Sequence, residues 1–203
     1  MIPPNAIVAA RDYLTPSLRQ ADCVVDATAG NGHDTMFLCR NTSPECRVWA
    51  FDIQAAALQS AKQRACQHGF AERVRWIQAD HAQLGDYIDI PVDAAVFNLG
   101  YLPGHDHALT TNPHSLGRAL DCLLKLLKPQ GRISIVDYPG HGPGQEEVVF
   151  IENFLANFTQ KIFVATRLEF INQRNNPAIL YTIGKTGRNL HEDTSPNYCQ
   201  GTR

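Results

Sequence analysis

Short runs of apolar and β-branched residues alternate with segments of helical period from residue 23 to about residue 160, and this alternation limits the fold more than any other feature of the chain. Strands separated by helical crossovers build βαβ units around a parallel sheet. The expected strands are Cys23 to Asp26, Arg47 to Asp52, Arg73 to Ile77, Val92 to Phe97, Arg132 to Val136, Phe163 to Phe170 and Ile179 to Ile183. Helices are expected over Asp34 to Cys39, Gln54 to His68 with Gly69 as its stop, and Glu146 to Phe158. A further helix has Leu116, Ala119, Leu120, Leu123, Leu124 and Leu127 on one continuous apolar face, closed by Lys128-Pro129-Gln130-Gly131. The last two strands are joined by too little chain for a helical crossover, so they form an antiparallel pair. The reading is an α/β, Rossmann-like, seven-stranded and mostly parallel sheet with an antiparallel terminal strand pair. It occupies residues 1–185 as one domain, and residues 186–203, which carry no apolar period, form a flexible tail.

Composition narrows the function classes. Of 203 residues 44% are apolar and 19% charged, which is globular rather than disordered. A net charge of -2 gives no global pull toward nucleic acid, so an RNA partner has to bind through a local patch, for which Arg11, Arg19, Lys125, Arg167 and Arg174 are the candidates. The six cysteines show neither Cys-x-x-Cys pairs nor zinc spacing, which suits a reducing cytoplasm. No basic stretch leads an apolar core at the N-terminus, and no apolar run approaches the ~20 residues that span a bilayer, so a cytoplasmic protein without membrane contact is expected. A homodimer follows only from the frequency of such assemblies.

The loop after the first strand reads Asp26-Ala27-Thr28-Ala29-Gly30-Asn31-Gly32-His33-Asp34. Gly30 and Gly32 permit a tight turn and close approach of backbone to a ligand, and Asp26 puts a carboxylate at the strand end where open α/β sheets bind ligands. Asp52 ends the second strand, where an acidic residue reaches a ribose hydroxyl pair. A dinucleotide enzyme shares those features, but its third glycine would fall at residue 35, which is Thr35. S-adenosylmethionine has no phosphate and a cationic end, and the strand-tip carboxylates suit it better. Gln78-Ala79-Asp80-His81 ends the third strand level with an adenine. The alternative is that Asp26, Asp52 and Asp80 are turn residues only, although three consecutive strands ending in a carboxylate fit a shared site better.

Asn98-Leu99-Gly100-Tyr101 follows the fourth strand and resembles the Asn/Asp-Pro-Pro-Tyr motif of methyltransferases that modify exocyclic amines. An amide oxygen and a backbone carbonyl can hold an amine's hydrogens while its lone pair points at the methyl group. Tyr101 either stacks on an unpaired base or covers the pocket structurally. His105, His107 and His141 fall near the same sheet edge. They lack the cysteine or Glu-x-x-His partners of a zinc site, so no metal is expected, and His141 is a candidate proton acceptor. His33 is read as lining the first loop, and His68 as a surface residue.

Together, Asp26 to Thr35, Phe51-Asp52-Ile53-Gln54, Asn98 to Gly104, Gly140-His141, Glu146-Glu147 and Phe170-Ile171-Asn172-Gln173 resemble the MnmM (YtqB-like) tRNA methyltransferase family, once labelled rRNA methylases. The resemblance spans about residues 5 to 185. It implies a class I methyltransferase fold and methyl transfer from S-adenosylmethionine to the amine of 5-aminomethyl-2-thiouridine at the tRNA wobble position, with the anticodon region as partner. It further implies Asn31, Asp52, Gln54 and His81 as cofactor contacts, with Asp26 and Asp80 beside them. The residues themselves add Gly30 and Gly32 to the cofactor turn and make Asn98, Tyr101 and His141 the catalytic candidates. The residues themselves leave open a methyltransferase of rRNA or of a small-molecule amine, and a silent module that binds cofactor or RNA only.

Overall fold

A computed structural model describes residues 2–100, 113–140 and 144–187. In chain order the elements are α1 (Ala6–Leu18), β1 (Cys23–Asp26), α2 (His33–Asn41), β2 (Arg47–Asp52), α3 (Ala55–Gln67), β3 (Val74–Gln78), α4 (Leu84–Tyr87), β4 (Val92–Leu99), α5 (Pro113–Leu126), β5 (Leu127–Asp137), α6 (Gly144–Ala156), β6 (Phe163–Leu168) and β7 (Ile179–Lys185). The strands form one seven-stranded sheet in the order β3-β2-β1-β4-β5-β7-β6. Strands β1 to β5 run parallel to one another. The terminal pair is antiparallel as expected, and β7 inserts between β5 and β6, antiparallel to both.

Register sorts the side chains onto two faces. Val24 stands beside Val48 and Ala94, and all three pack with Leu14, Leu18, Met36, Leu38 and Leu58 of α1, α2 and α3. Val25 stands beside Ala95, which pairs with Ile133, and these turn to Leu116, Leu120 and Leu123 of α5 and Ile151 of α6. A sheet covered on both faces needs apolar residues in both parities, which is why these strands read as continuous apolar runs. The strand order reverses between β1 and β4, so their carboxyl ends open the crevice in which such sheets bind ligands.

Two differences from the sequence expectation concern the core. The first helix, α1, lies ahead of residue 23, where the expected elements begin, and carries Pro16 inside it. Asn5 nonetheless caps it, its side chain accepting from Val8 N at 2.9 Å, and Pro16 lies only in its last turns. Ala6, Ala9, Ala10, Leu14 and Leu18 are buried at helical spacing. Arg132 fastens α1 to β5 by donating Nη1 to the Tyr13 carbonyl at 2.6 Å. The second difference is the segment Lys128-Pro129-Gln130-Gly131, read as closing the long helix. The helix ends at Leu126 and those residues form the irregular start of β5, where the pairing with β4 slips between Val92 and Ala94 and Gln130 takes a left-handed φ of 64°. Leu127 accordingly belongs to the strand.

At the tail, Thr186 is tied in, its N donating to Ile162 O at 2.7 Å. Residues 188–203 lie outside the described residues. No helix among the described residues is long and apolar enough to cross a membrane.

Leu14 is completely buried in the core under α1. Leu14→Ala is expected to lower the unfolding free energy by about 2–5 kcal/mol in urea titration, and a loss below about 0.5 kcal/mol would show that α1 is peripheral to the core.

Candidate active site at the carboxyl edge of the sheet

The turn from β1 into α2 is held from both sides. Asp26 is 1% exposed, its Oδ2 accepting from Thr35 Oγ1 at 2.6 Å and its Oδ1 from Thr28 N at 3.2 Å. From the neighbouring strand, Asp52 accepts Gly30 N on Oδ2 and Gln54 N on Oδ1, both at 2.8 Å. Gly32 takes a φ of 81°, and a Cβ there would stand 2.9 Å from the Cβ of Ala61 on α3. Only glycine satisfies both demands. Arg64 of α3 completes the support by donating Nε to the Asn31 carbonyl at 2.8 Å. The structure thus brings together Asp26, Gly30, Asn31, Gly32, Asp52 and Gln54. Asp26 lies inside the turn and shapes it, whereas Asp52 is partly exposed at the crevice with carboxylate lone pairs beyond the two backbone amides. Burial, then the charge of Asp34, pushes the Asp26 carboxyl up to about 7 against the hydrogen bonds from Thr35 and Thr28.

Asp80 and His81 follow β3 beside the same crevice. Asp80 caps a short turn, its Oδ1 accepting from Ala82 N at 2.8 Å and from the Ser115 hydroxyl of α5. His81 is 9% exposed, packs edge-to-face on Phe97 at 5.7 Å and donates to the Ala27 carbonyl. Burial holds its imidazolium form below the ordinary range, so the ring is neutral at pH 7. Its Nε2 is then a buried acceptor, and it has no hydrogen-bond partner among the described residues.

Asn98 at the tip of β4 is fixed by two hydrogen bonds. Its backbone N donates to Thr28 Oγ1 at 2.7 Å and its Nδ2 donates to Asp34 Oδ2 at 3.2 Å, while the Tyr138 hydroxyl lies close to its side chain. Asp34 is held in turn by Arg11, whose Nε and Nη2 donate to Oδ1 at 3.1 and 2.7 Å. The Tyr138 ring lies against Gly100, where a Cβ would be 3.3 Å from Cδ2. Asp34 and Tyr138 were not singled out in the sequence; Asp34 stood in plain view inside the glycine turn. Tyr101, His105, His107 and His141 lie outside the described residues. Among the described residues no group of histidines, cysteines and carboxylates could hold a metal ion.

A pair of acids beside this edge was also missed. Asp137, which ends β5, is 0% exposed and Glu147 of α6 is 6% exposed. Burial pushes Asp137 up to about 6, and burial with the Asp137 charge pushes Glu147 up to about 7, while a hydrogen bond joins the two. Two carboxyl groups bond in this way only when one carries a proton, so the pair shares one. Tyr138 follows Asp137 directly in the chain, which places the pair next to the aromatic beside Asn98.

A tRNA (mnm(5)s(2)U34)-methyltransferase, chloroplastic, from Arabidopsis thaliana is 30% identical over 174 residues, which cover 81% of this chain and 64% of that protein. The chain thus spans less than two thirds of that relative. The Clostridium thermocellum rRNA-methylase structure superposes with a TM-score of 0.87 at 39% identity, covering 91% of this chain and 100% of the other. SMU.1697c from Streptococcus mutans, solved in complex with SAH, superposes with a TM-score of 0.82 at 32% identity, covering 91% and 99%. Likenesses of this extent define the class as S-adenosylmethionine-dependent methyltransferases, with S-adenosylmethionine as the cofactor. Within that class the chain belongs to the family described as "Putative rRNA methylase", whose model matches residues 48–184. The residues present fit the cofactor. The orphaned His81 Nε2 can accept from a donor such as an amine or hydroxyl, and Asp52 offers lone pairs to a hydroxyl pair beside the turn that Gly32 forms against Ala61.

Two outcomes follow. Gly32→Ala forces strain and a collision with Ala61, so cofactor affinity measured by calorimetry is expected to fall at least about tenfold; unchanged affinity would show the turn is not the cradle. The raised acids give a pH signature with a definite sign. Their fold-favoured form is protonated, so the stabilisation is full below about pH 4 and is lost as pH rises through about 6 to 7. Asp137→Asn keeps a donor to Glu147, so its unfolding midpoint should fall less between pH 5 and 8 than that of the native chain. Asp26 shifts both chains alike and cancels. Parallel curves would contradict proton sharing.

Proposed function

We propose that this protein methylates the amine of 5-aminomethyl-2-thiouridine at the tRNA wobble position, giving 5-methylaminomethyl-2-thiouridine. The observation that carries the reading is the fixed Asn98 amide. Its NH2 donates to Asp34, which turns the amide so that its oxygen is the group left to accept from a substrate N–H. An amine has two such hydrogens once it has lost its ammonium proton, and holding them aims the lone pair away from the amide. The bound cofactor supplies a methyl group on a sulfonium, activated toward displacement by nitrogen. The new N–C bond forms as the C–S bond breaks, the electron pair leaves with sulfur as a neutral thioether, and the methylated nitrogen then loses a proton.

Within this reading Asn98 orients the amine, Tyr101 stacks on the unpaired base and His141 takes the proton. Asp52, Gln54, Asn31 and His81 hold the cofactor, and Asp80 braces the adenine end from its turn. Asp26 shapes the loop on which Gly30 and Gly32 lie. The support from relatives is the wobble-uridine activity named for the Arabidopsis thaliana protein.

The test uses full-length protein, labelled S-adenosylmethionine and tRNA isolated without the terminal methyl group, followed by digestion to nucleosides. Label is expected in methylaminomethyl-thiouridine, and label confined to rRNA or to small amines would reject the assignment. Asn98→Ala is expected to lower transfer by roughly 10²-fold with cofactor affinity nearly unchanged. An equal loss of cofactor affinity would assign Asn98 to the cofactor instead.

A further inference from the structure

We propose that the groove along the outer face of α2 is a phosphate track that carries the backbone of the RNA substrate. A cavity of about 300 Å³ opens there, lined by Arg11, His33, Arg40, Asn41, Arg64 and His68 over a floor of Met36 and Phe37. The proposal rests on the reading of the substrate as RNA.

Three guanidinium groups from three helices converge on this groove, and no carboxylate lines it. On a chain of net charge -2 that is a local concentration of one sign, which the overall charge conceals. Of the lining arginines Arg11 is paired with an acid, Asp34, at 2.7 Å. Guanidinium groups offer planar, multiple donors that match phosphate oxygens. The field is felt by the histidine at the rim, since burial and then Arg64, with Arg11 adding, hold His33 below its ordinary range despite Asp34.

The groove also lies in the right place. Asp34 accepts from Arg11 on one oxygen and from Asn98 on the other, so its upper end is one carboxylate from the amide assigned to the reacting nitrogen. The nine residues of α2 run about 13 Å, the axial rise of about four nucleotides in a stacked strand. A strand whose reacting base is held at Asn98 therefore passes its flanking phosphates over Arg11 and onto Arg40. The contacts are to backbone rather than to base edges, so they give affinity and register without reading sequence.

The test measures binding of an unmodified tRNA transcript to the full chain between about 50 and 200 mM salt. Arg40 is exposed and therefore suited to substitution. Arg40→Glu is expected to weaken binding at least about tenfold, and Arg40→Gln to weaken it less and to lower the slope of log affinity against log salt by about 1. S-adenosylmethionine affinity and circular dichroism should match the native chain. Arg19→Glu makes the same charge change at the far end of α1 and should have a much smaller effect. Equal losses in the Arg19 and Arg40 variants would overturn the track while leaving the RNA reading intact. Loss of inorganic phosphate binding with tRNA affinity unchanged would make the groove a small-anion site and also overturn it. A native chain that binds no tRNA at all would remove both the track and the proposed function.

Discussion

The carboxylate of Asp52 accepts two backbone amides, one from the glycine turn after β1 and one from the start of α3, and thereby fixes how the tips of two neighbouring strands face each other. Hydrogen bonds to an ionised acceptor are the stronger kind, and here they restrain glycines that have no side chain to do so. Much of the crevice depends on that restraint. Gly32 is pressed against Ala61, the Asn31 carbonyl is held by Arg64, and the chain enters α2 at an angle that buries Asp34 and Thr35 beneath the turn. The glycine turn after β1 and the placement of Asp34 are consequences of one local geometry.

Asp34 carries that geometry across the crevice. Its two oxygens join α1 to β4, through Arg11 and Asn98, while Tyr138 approaches Asn98 from the end of β5. An amide free to rotate would present its NH2 and its oxygen alternately to the crevice, and the Nδ2 bond to Asp34 favours the presentation of the oxygen. The buried acids Asp137 and Glu147 stand behind Tyr138, and by sharing a proton they tie α6 to the strand that delivers the tyrosine. Pre-organisation of this kind is what a transfer reaction needs, since its protein contributes mainly position.

The parts of this architecture legible in the sequence are those set by contiguous residues. Cys23 to Asp26 and Arg47 to Asp52 were readable as strands to the residue, and the leucine spacing from Leu116 to Leu123 gave α5 its buried face. The glycine turn and the acid ending β2 were recognisable by spacing. What escaped depends on packing between distant segments. Helix α1 holds because its alanines meet β5 and β7 and its leucines meet β1, β2 and β4, with Pro16 inside its length. Lys128 to Gly131 join a sheet because Leu127 finds Val92, although they are built like a helix stop. Asp137 and Glu147 become a pair only when α6 returns to its strand, and the arginines around α2 become a patch only when three helices assemble.

Calorimetric titration of S-adenosylmethionine into the native chain and into Asp52→Asn tests the central role of the strand-tip carboxylate most directly. The amide side chain would turn a donor toward a backbone N–H it now accepts, loosening the turn. The account predicts one saturable site in the native chain and an affinity lower by about tenfold or more in the variant, with the circular dichroism of both superimposable. Equal affinities, or a native chain that takes up a dinucleotide and not the sulfonium cofactor, would contradict it.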